Sequence, residues 1–170
     1  MNKKVFSLLA AGAITTSMLS GVVAHAAGVE SPKSIDVTYD NQTVITDPDN
    51  PTAPEWQVAI PSGIHFTDDK TEMKADVALQ NANGGEYAGT AQVKVKVESQ
   101  NDYKLTKGSS EASYTLGYGN KTMSRSETEI GTLTSSNKEV AGLAKLGDTS
   151  RVNELGQHKD KLTYKVQKIN

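Results

Sequence analysis

The stretch AQVKVKVE, residues 91–98, alternates small or apolar side chains with polar ones. Its three valines point to one side of an extended chain, whereas Gln92, the two lysines and Glu98 point to the other. A period of two is typical of an antiparallel strand with one face in the core and one face in water. This segment therefore predicts a half-buried β-strand.

The same alternation recurs along most of the chain, at residues 56–60, 77–79, 103–105, 114–118 and 162–166. Turn-forming Gly, Asn, Asp and Pro residues separate these runs. About nine short strands with frequent turns predict an all-β fold, an antiparallel β-sandwich of the immunoglobulin-like or Greek-key type. The last run, which ends close to the C-terminus, is expected to complete the sandwich.

Residues 137–146 depart from this pattern. Ser136 could cap a helix there, the apolar spacing is near 3.6, and Gly147 would end it. Gly142 is unfavourable inside a helix. The sequence predicts one short helix in this segment, with a loop as the alternative.

The N-terminal part predicts processing followed by an appendage. Lys3 and Lys4, an apolar run and Ala24-His25-Ala26 are typical of a signal peptide over residues 1–26. Residues 27–54 are expected to hold a hairpin, with arms 35–39 and 42–46 around Asp40-Asn41, and a connector rich in Pro and Asp. The β-sandwich domain is expected over residues 55–170. The hairpin is predicted either to stand apart or to donate an edge strand.

Charge and cysteine content restrict the partners. Removal of Lys3 and Lys4 would leave 16 Lys and Arg against 20 Asp and Glu, a net charge of about −4. An acidic chain is a poor electrostatic match for nucleic acid or for an anionic membrane. The sequence has no Cys, which excludes disulfides, thiolate metal sites and a Cys nucleophile.

Catalytic and metal-binding patterns are not found, so the sequence predicts a protein that is not an enzyme and needs no cofactor or metal. His65 and His158 have no nucleophile motif near them. The residues that could supply oxygen ligands do not show calcium-loop spacing and are interpreted as solvated turns; they are Asp47, Asp49, Asn50, Asp68, Asp69 and Glu72. Hydrolysis of glycosides by two carboxylates stays a minor alternative.

Two short motifs resemble those of the WxL (Trp-x-Leu) surface domains of Gram-positive bacteria. NDYKLT at residues 101–106 follows a strand, and KLTYKV at residues 161–166 closes the chain. Tyr103 and Tyr164 stand where that family has Trp, and Val166 stands where it has Leu. The resemblance implies a secreted protein held non-covalently at the cell wall, with Tyr103, Leu105, Tyr164 and Val166 as the wall-binding residues.

GQHKDKLTYKV at residues 156–166 is also similar to the closing strand of fimbrial-type and spore-coat-type β-sandwiches. His158 stands where those proteins usually have an aromatic residue. This resemblance implies a structural subunit that assembles with other copies.

The functional expectation is a secreted, non-enzymatic surface protein, extracellular or associated with the cell wall. Its expected partners are peptidoglycan, matrix or host components, or another surface protein, and its role is adhesion. The alternative is a structural subunit that self-associates by strand exchange through edge strands, with residues 35–46 as the donor. Neither nucleic acid nor a membrane is expected to bind the mature form.

Overall fold

The computed structural model describes residues 43–170, and these residues form antiparallel β-sheets with no helix. The signal peptide and the first arm of the expected hairpin lie outside the described residues. The described strands are β1 Val44–Thr46, β2 Trp56–Ala59, β3 Glu72–Lys74, β4 Val77–Asn81, β5 Val93–Ser99, β6 Lys104–Lys107, β7 Ser110–Tyr118, β8 Lys121–Thr122, β9 Glu129–Leu133, β10 Glu139–Val140, β11 Gly142–Leu146 and β12 Leu162–Lys168.

Three sheets build the β-sandwich, which confirms the predicted fold class. Their strand orders are β1-β2-β4-β10, then β3-β11-β7-β6 with β8 also on β7, and finally β12-β5-β9. The valines of residues 91–98 face inward as predicted, and all three are fully buried. They pack in one core cluster with Trp56 and Leu116, which come from the other two sheets.

The first two sheets are joined because residues 72–78 pair with residues 139–145 in a single register. Lys74 lies opposite Leu143 and Val77 lies opposite Val140. Between these pairs, the backbone N–H of Ala75 donates to the carbonyl oxygen of Gly142 at 2.9 Å. The pairing therefore continues without interruption from β3 into β4.

The short helix expected over residues 137–146 is wrong, because this segment forms β10 and β11. Its side chains follow a period of two in β11: Ala144 is fully buried, whereas Leu143 is 37% exposed. Gly142 allows the chain to approach Ala75 and Tyr118 this closely. A Cβ atom on it would lie 2.3 Å from the carbonyl oxygen of Ala75 and 2.5 Å from Cε1 of Tyr118.

Replacing Gly142 by Ala should destabilise the protein severely, because neither the backbone of Ala75 nor the buried Tyr118 ring has room to move. We expect a loss of about 3 kcal/mol in the free energy of unfolding, measured by urea denaturation. Gly117→Ala is the matched control on the neighbouring strand β7. Its Cβ atom would meet only ordinary contacts, the nearest at 3.4 Å from the carbonyl oxygen of Lys121, so its cost should stay below about 1 kcal/mol. Equal effects of the two substitutions would contradict this account of Gly142.

Candidate functional site: an apolar groove beside the free edge of the last strand

Strand β12 pairs with β5 on one side, and among the described residues no strand pairs with its other side. The register places Tyr164 opposite Val97 and Val166 opposite Val95. At the two ends of this pairing, Gln100 N–H donates to the Lys161 carbonyl and Ile169 N–H donates to the Gln92 carbonyl, at 2.9 and 3.0 Å. The backbone groups of the odd-numbered residues of β12 thus make the hydrogen bonds to β5.

Antiparallel geometry then fixes what the other side of β12 presents. Residues between hydrogen-bonded pairs direct both backbone groups away from the partner strand. The N–H and C=O groups of Leu162, Tyr164 and Val166 therefore point to the open side, which we call the free edge. A free edge of this kind is a template for another strand.

The side chains along the free edge are only partly covered. Leu162, Tyr164 and Val166 pack against the core cluster but remain partly exposed. The valines of β5, by contrast, are fully buried. The core is therefore closed over β5 and left open along β12.

A groove of about 420 Å³ with apolar walls lies beside the free edge, and Ser62, Asp160 and Lys161 also line it. One wall is the segment 60–66, which follows β2 and contributes Ile60, Ile64 and Phe66. The opposite wall contains Leu162 and Tyr164 of β12, and Leu105 and Tyr114 also line the groove. A second cavity of about 430 Å³ shares Ile64, Phe66 and Leu105 and extends the groove towards Val152 and His158.

Tyrosine hydroxyls and one carboxylate connect β12 to the opposite sheet. The hydroxyl oxygens of Tyr118 and Tyr164 lie 2.8 Å apart. The Tyr114 hydroxyl donates to Asp160 at 2.6 Å, and the same carboxylate accepts from the Ser99 hydroxyl at 2.6 Å. These bonds fix the position of β12 relative to β7 while leaving its free edge open.

Of the four residues predicted to bind the cell wall, the structure brings Leu105 and Tyr164 together in the groove. Val166 is partly buried on the free edge. Tyr103 is 7% exposed, and its ring packs edge-on against Tyr114 with centroids 5.7 Å apart. Tyr103 is therefore buried next to Tyr114, which lines the groove, and wall binding by Tyr103 stays a prediction.

The position of Tyr103 depends on an unusual turn. Asp102 and Tyr103 have φ values of 58° and 60°, in the left-handed region that L-residues rarely adopt. The Ser99 hydroxyl accepts from the Tyr103 N–H at 2.6 Å, and Tyr114 N–H donates to the Tyr103 carbonyl at 3.0 Å. These two bonds hold the strained turn that directs the ring inward.

The wall formed by Ile60, Ile64 and Phe66 is the part of the site that the motifs did not indicate. A signal was present, because these residues continue the even-numbered phase of Trp56 and Val58. The turn-like residues between Ile60 and Ile64 conceal that continuity in the sequence.

Ser110 and His158 form the one arrangement that resembles catalytic chemistry in the part of the chain described. Their Oγ and Nε2 atoms lie 2.6 Å apart. However, Ser110 is fully buried, and its oxygen already accepts from the N–H groups of Asn153 and Glu154 at 3.0 and 3.3 Å. Nδ1 of His158 faces the carbonyl of Gly156 at 3.1 Å instead of a carboxylate. The pair thus anchors the loop between β11 and β12, and it lacks the exposed nucleophile and orienting carboxylate of a catalytic triad.

The acidic residues of the sequence analysis do not converge. Asp47 accepts from the N–H of Asp49 at 3.0 Å within its own turn, and Asp68 and Asp69 lie on an exposed turn closed by Thr67 and Lys70. Over residues 43–170, no three His, Asp or Glu side chains are grouped as metal ligands. In the same range, no helix is long and apolar enough to cross a membrane.

Comparison with known proteins does not assign a family. No protein family model matches the chain, and no curated protein matches it. The solved structure of the P pilus rod subunit PapA is similar with a TM-score of 0.40 and 13% identity, over 66% of this chain and 99% of that one. A chaperone–tip adhesin complex of CFA/I fimbriae biogenesis is similar with a TM-score of 0.36 and 14% identity, over 84% of this chain and 40% of that one.

The tyrosines of the site make stability depend on pH in alkali. Burial raises the pKa of Tyr103 to about 12. Burial also raises the pKa values of Tyr114, Tyr118 and Tyr164 above the ordinary 10.0. Because the folded pKa exceeds the unfolded one, the stabilisation is complete below pH 10 and is lost as pH rises towards 12 and beyond.

We therefore expect the free energy of unfolding in urea to be constant from about pH 8 to about pH 9.5 and to fall steeply above about pH 10. Phenolate absorbance of these tyrosines should appear together with loss of the β-sheet circular dichroism signal. Titration of all tyrosines near pH 10 with an unchanged fold would show that their rings are accessible to solvent.

Proposed function

We propose that this chain is an exported, non-enzymatic surface protein that works by β-strand addition, in which an extended segment of another chain pairs with the free edge of β12. The observation that supports the proposal is the coincidence of that edge with the apolar groove. The preferred partner is a second copy, which makes the protein a structural subunit. The signal peptide predicted for residues 1–26 supports a location outside the cell, secreted or associated with the wall.

Strand addition needs two features, and the site has both. Unpaired backbone groups supply affinity without regard to sequence, and pockets for alternate side chains supply specificity. The free edge offers the N–H and C=O groups of Leu162, Tyr164 and Val166. The groove offers apolar contacts from Ile60, Ile64 and neighbouring residues to every second side chain of an incoming strand.

Of the two lysines on β12, Lys168 lies in the phase of the free edge, whereas Lys165 does not blunt that edge. Lys165 lies in the phase whose backbone bonds to β5, and its side chain stands on the solvent face. Its Nζ contacts Glu98 at 2.6 Å, so the charge is balanced on that face. On the groove side, the edge presents Leu162 and Tyr164 next to Asp160 and Lys161.

The donor expected from sequence, residues 35–46, is only partly available for exchange. Val44–Thr46 is β1, which already pairs with β2 of the same chain. The part that remains for donation precedes Val44, where Ile35, Val37 and Tyr39 alternate with polar residues.

Val166→Pro should abolish self-association while leaving the fold intact. Proline removes the N–H that points to the free edge, and an edge strand tolerates it where that N–H faces away from the sheet. Val166→Ala is the matched control, because it shortens the same side chain but keeps the N–H. In sedimentation across a concentration series, the unaltered mature protein and the Val166→Ala variant should form growing assemblies, whereas Val166→Pro should stay monomeric.

Two results would contradict strand addition. One is a mature protein that stays monomeric throughout the series. The other is a Val166→Pro variant that keeps its circular dichroism spectrum and assembles as the unaltered protein does.

Retention on the cell wall is the second candidate function, because Leu105 and Tyr164 both line the groove. Purified peptidoglycan should then co-sediment the mature protein at physiological salt. Leu105→Gln should reduce the retained fraction, and Leu143→Gln, at an exposed position outside the groove, should not. Protein that remains in the supernatant, or equal retention of both variants, would count against wall binding at this site.

A further inference from the structure

We infer that two copies of the protein pair through β12 itself, antiparallel across a two-fold axis at Tyr164, so that Lys168 of each copy reaches Asp160 of the other. This inference rests on the proposed function, because it names the strand that is added to the free edge. Asp160 lies just before β12 and Lys168 ends it, so two opposite charges lie at the two ends of one edge. Antiparallel pairing of two such edges brings each charge to its opposite.

The phase of the free edge restricts how two copies of β12 can pair. The backbone groups of Leu162, Tyr164 and Val166 point to the open side, so these residues must lie opposite one another in the two copies. A two-fold axis at Tyr164 places this residue opposite its own copy and places Leu162 opposite Val166. Each of these pairs exchanges two backbone hydrogen bonds. No other register of the two strands pairs all three residues with one another.

The side chains favour the same register. The even-numbered residues of β12 are its partly buried ones up to Val166, so the symmetric register brings apolar side chains together beside the groove. A shift by one pair in either direction keeps the phase. It would place Asp160 opposite Val166, or Lys168 opposite Leu162. A charge held against an apolar side chain loses water without gaining a partner, which is unfavourable.

Asp160 is a carboxylate in the wall of the groove with no cation bound to it. It accepts from the hydroxyls of Ser99 and Tyr114, both at 2.6 Å, and from the N–H groups of Asn101 and Lys161 at 3.0 and 2.7 Å. All four donors are neutral groups. Within the described part of the chain, Asp160 takes part in no ion pair. Its negative charge is therefore unbalanced where it lines the groove.

Lys168 is the cation that the symmetric register supplies. It is exposed, and it makes no ion pair with any residue from 43 to 170. In the paired copies, its aliphatic stem would lie along the groove beside Leu162 while its ammonium group reaches Asp160. The two-fold axis produces this ion pair twice. Shielding by the groove makes each pair stronger than one on an open surface.

The solvent face of β12 permits this register. Thr163 falls opposite Lys165, and Lys161 falls opposite Gln167, so no two like charges lie directly opposite each other between the copies. The contact of Lys165 with Glu98 is within one copy and can be kept. Because the pairing uses the free edge of both copies, it closes at a dimer. A larger assembly must add copies at other edges.

The absence of Cys from the sequence allows a test of the register in the full mature chain. Thr163→Cys and Lys165→Cys are made in separate chains, mixed in equal amounts at a concentration at which the protein assembles, and oxidised mildly. Opposite residues of a non-hydrogen-bonded antiparallel pair have Cα atoms about 4.5 Å apart, within disulfide range. The control mixture contains Thr163→Cys and Gln167→Cys, on the same exposed face but one pair out of register.

Mass spectrometry should find the 163–165 disulfide between chains at least about fivefold above the 163–167 product. Equal yields of the two products, or a dominant 163–167 disulfide, would overturn the symmetric register. Absence of a disulfide between chains in both mixtures would also overturn it.

A second test uses charge and needs no oxidation. Lys168→Glu should raise the dissociation constant of the dimer at least about tenfold, because it places a second carboxylate against Asp160 twice in each dimer. Lys165→Glu is the matched control, since it changes the net charge equally on the same strand but lies away from Asp160. It should change the dissociation constant by less than about threefold. Sedimentation equilibrium measures both, with circular dichroism as the check on folding, and equal effects would overturn the inference.

The outcomes separate this inference from the proposed function. A mature protein that is monomeric at every concentration would contradict both. Assembly that Val166→Pro blocks, without the 163–165 disulfide and without an effect of Lys168→Glu, would support strand addition and overturn the pairing of β12 with its own copy.

Discussion

Backbone pairing is the constraint on which the rest of this structure depends: β5 has a strand on each side, whereas β12 has a described strand on one side only. Pairing on both sides is what allows Val93, Val95 and Val97 to be fully buried. The partial exposure of Leu162 and Tyr164 follows equally directly from the missing neighbour. The groove is the space that this unequal pairing leaves open.

The energetics of an added strand favour the apolar groove over the hydrogen bonds as the main source of binding. Each backbone bond exchanges water for a protein partner, for a net gain of about 1 kcal/mol, and ordering each residue costs about the same or more. The side chains that enter the groove must therefore supply the surplus. An aromatic or aliphatic residue of the added strand, placed against Ile64, would contribute far more than a polar residue at that position.

The sequence predicted β5, β7 and β12 because their alternation is a local property that one face in the core imposes. The helix at residues 137–146 was wrong because its constraint is not local. The closeness of Gly142 to the Ala75 carbonyl exists only after two segments far apart in sequence have paired. The sequence left open whether the two Tyr-x-aliphatic triplets are exposed or lie in the core, since such a triplet looks alike on a surface strand and after a strained turn. The groove was not predicted, because a free edge exists only where no other strand pairs with it. Strand pairing depends on residues far apart in sequence and therefore leaves no local pattern.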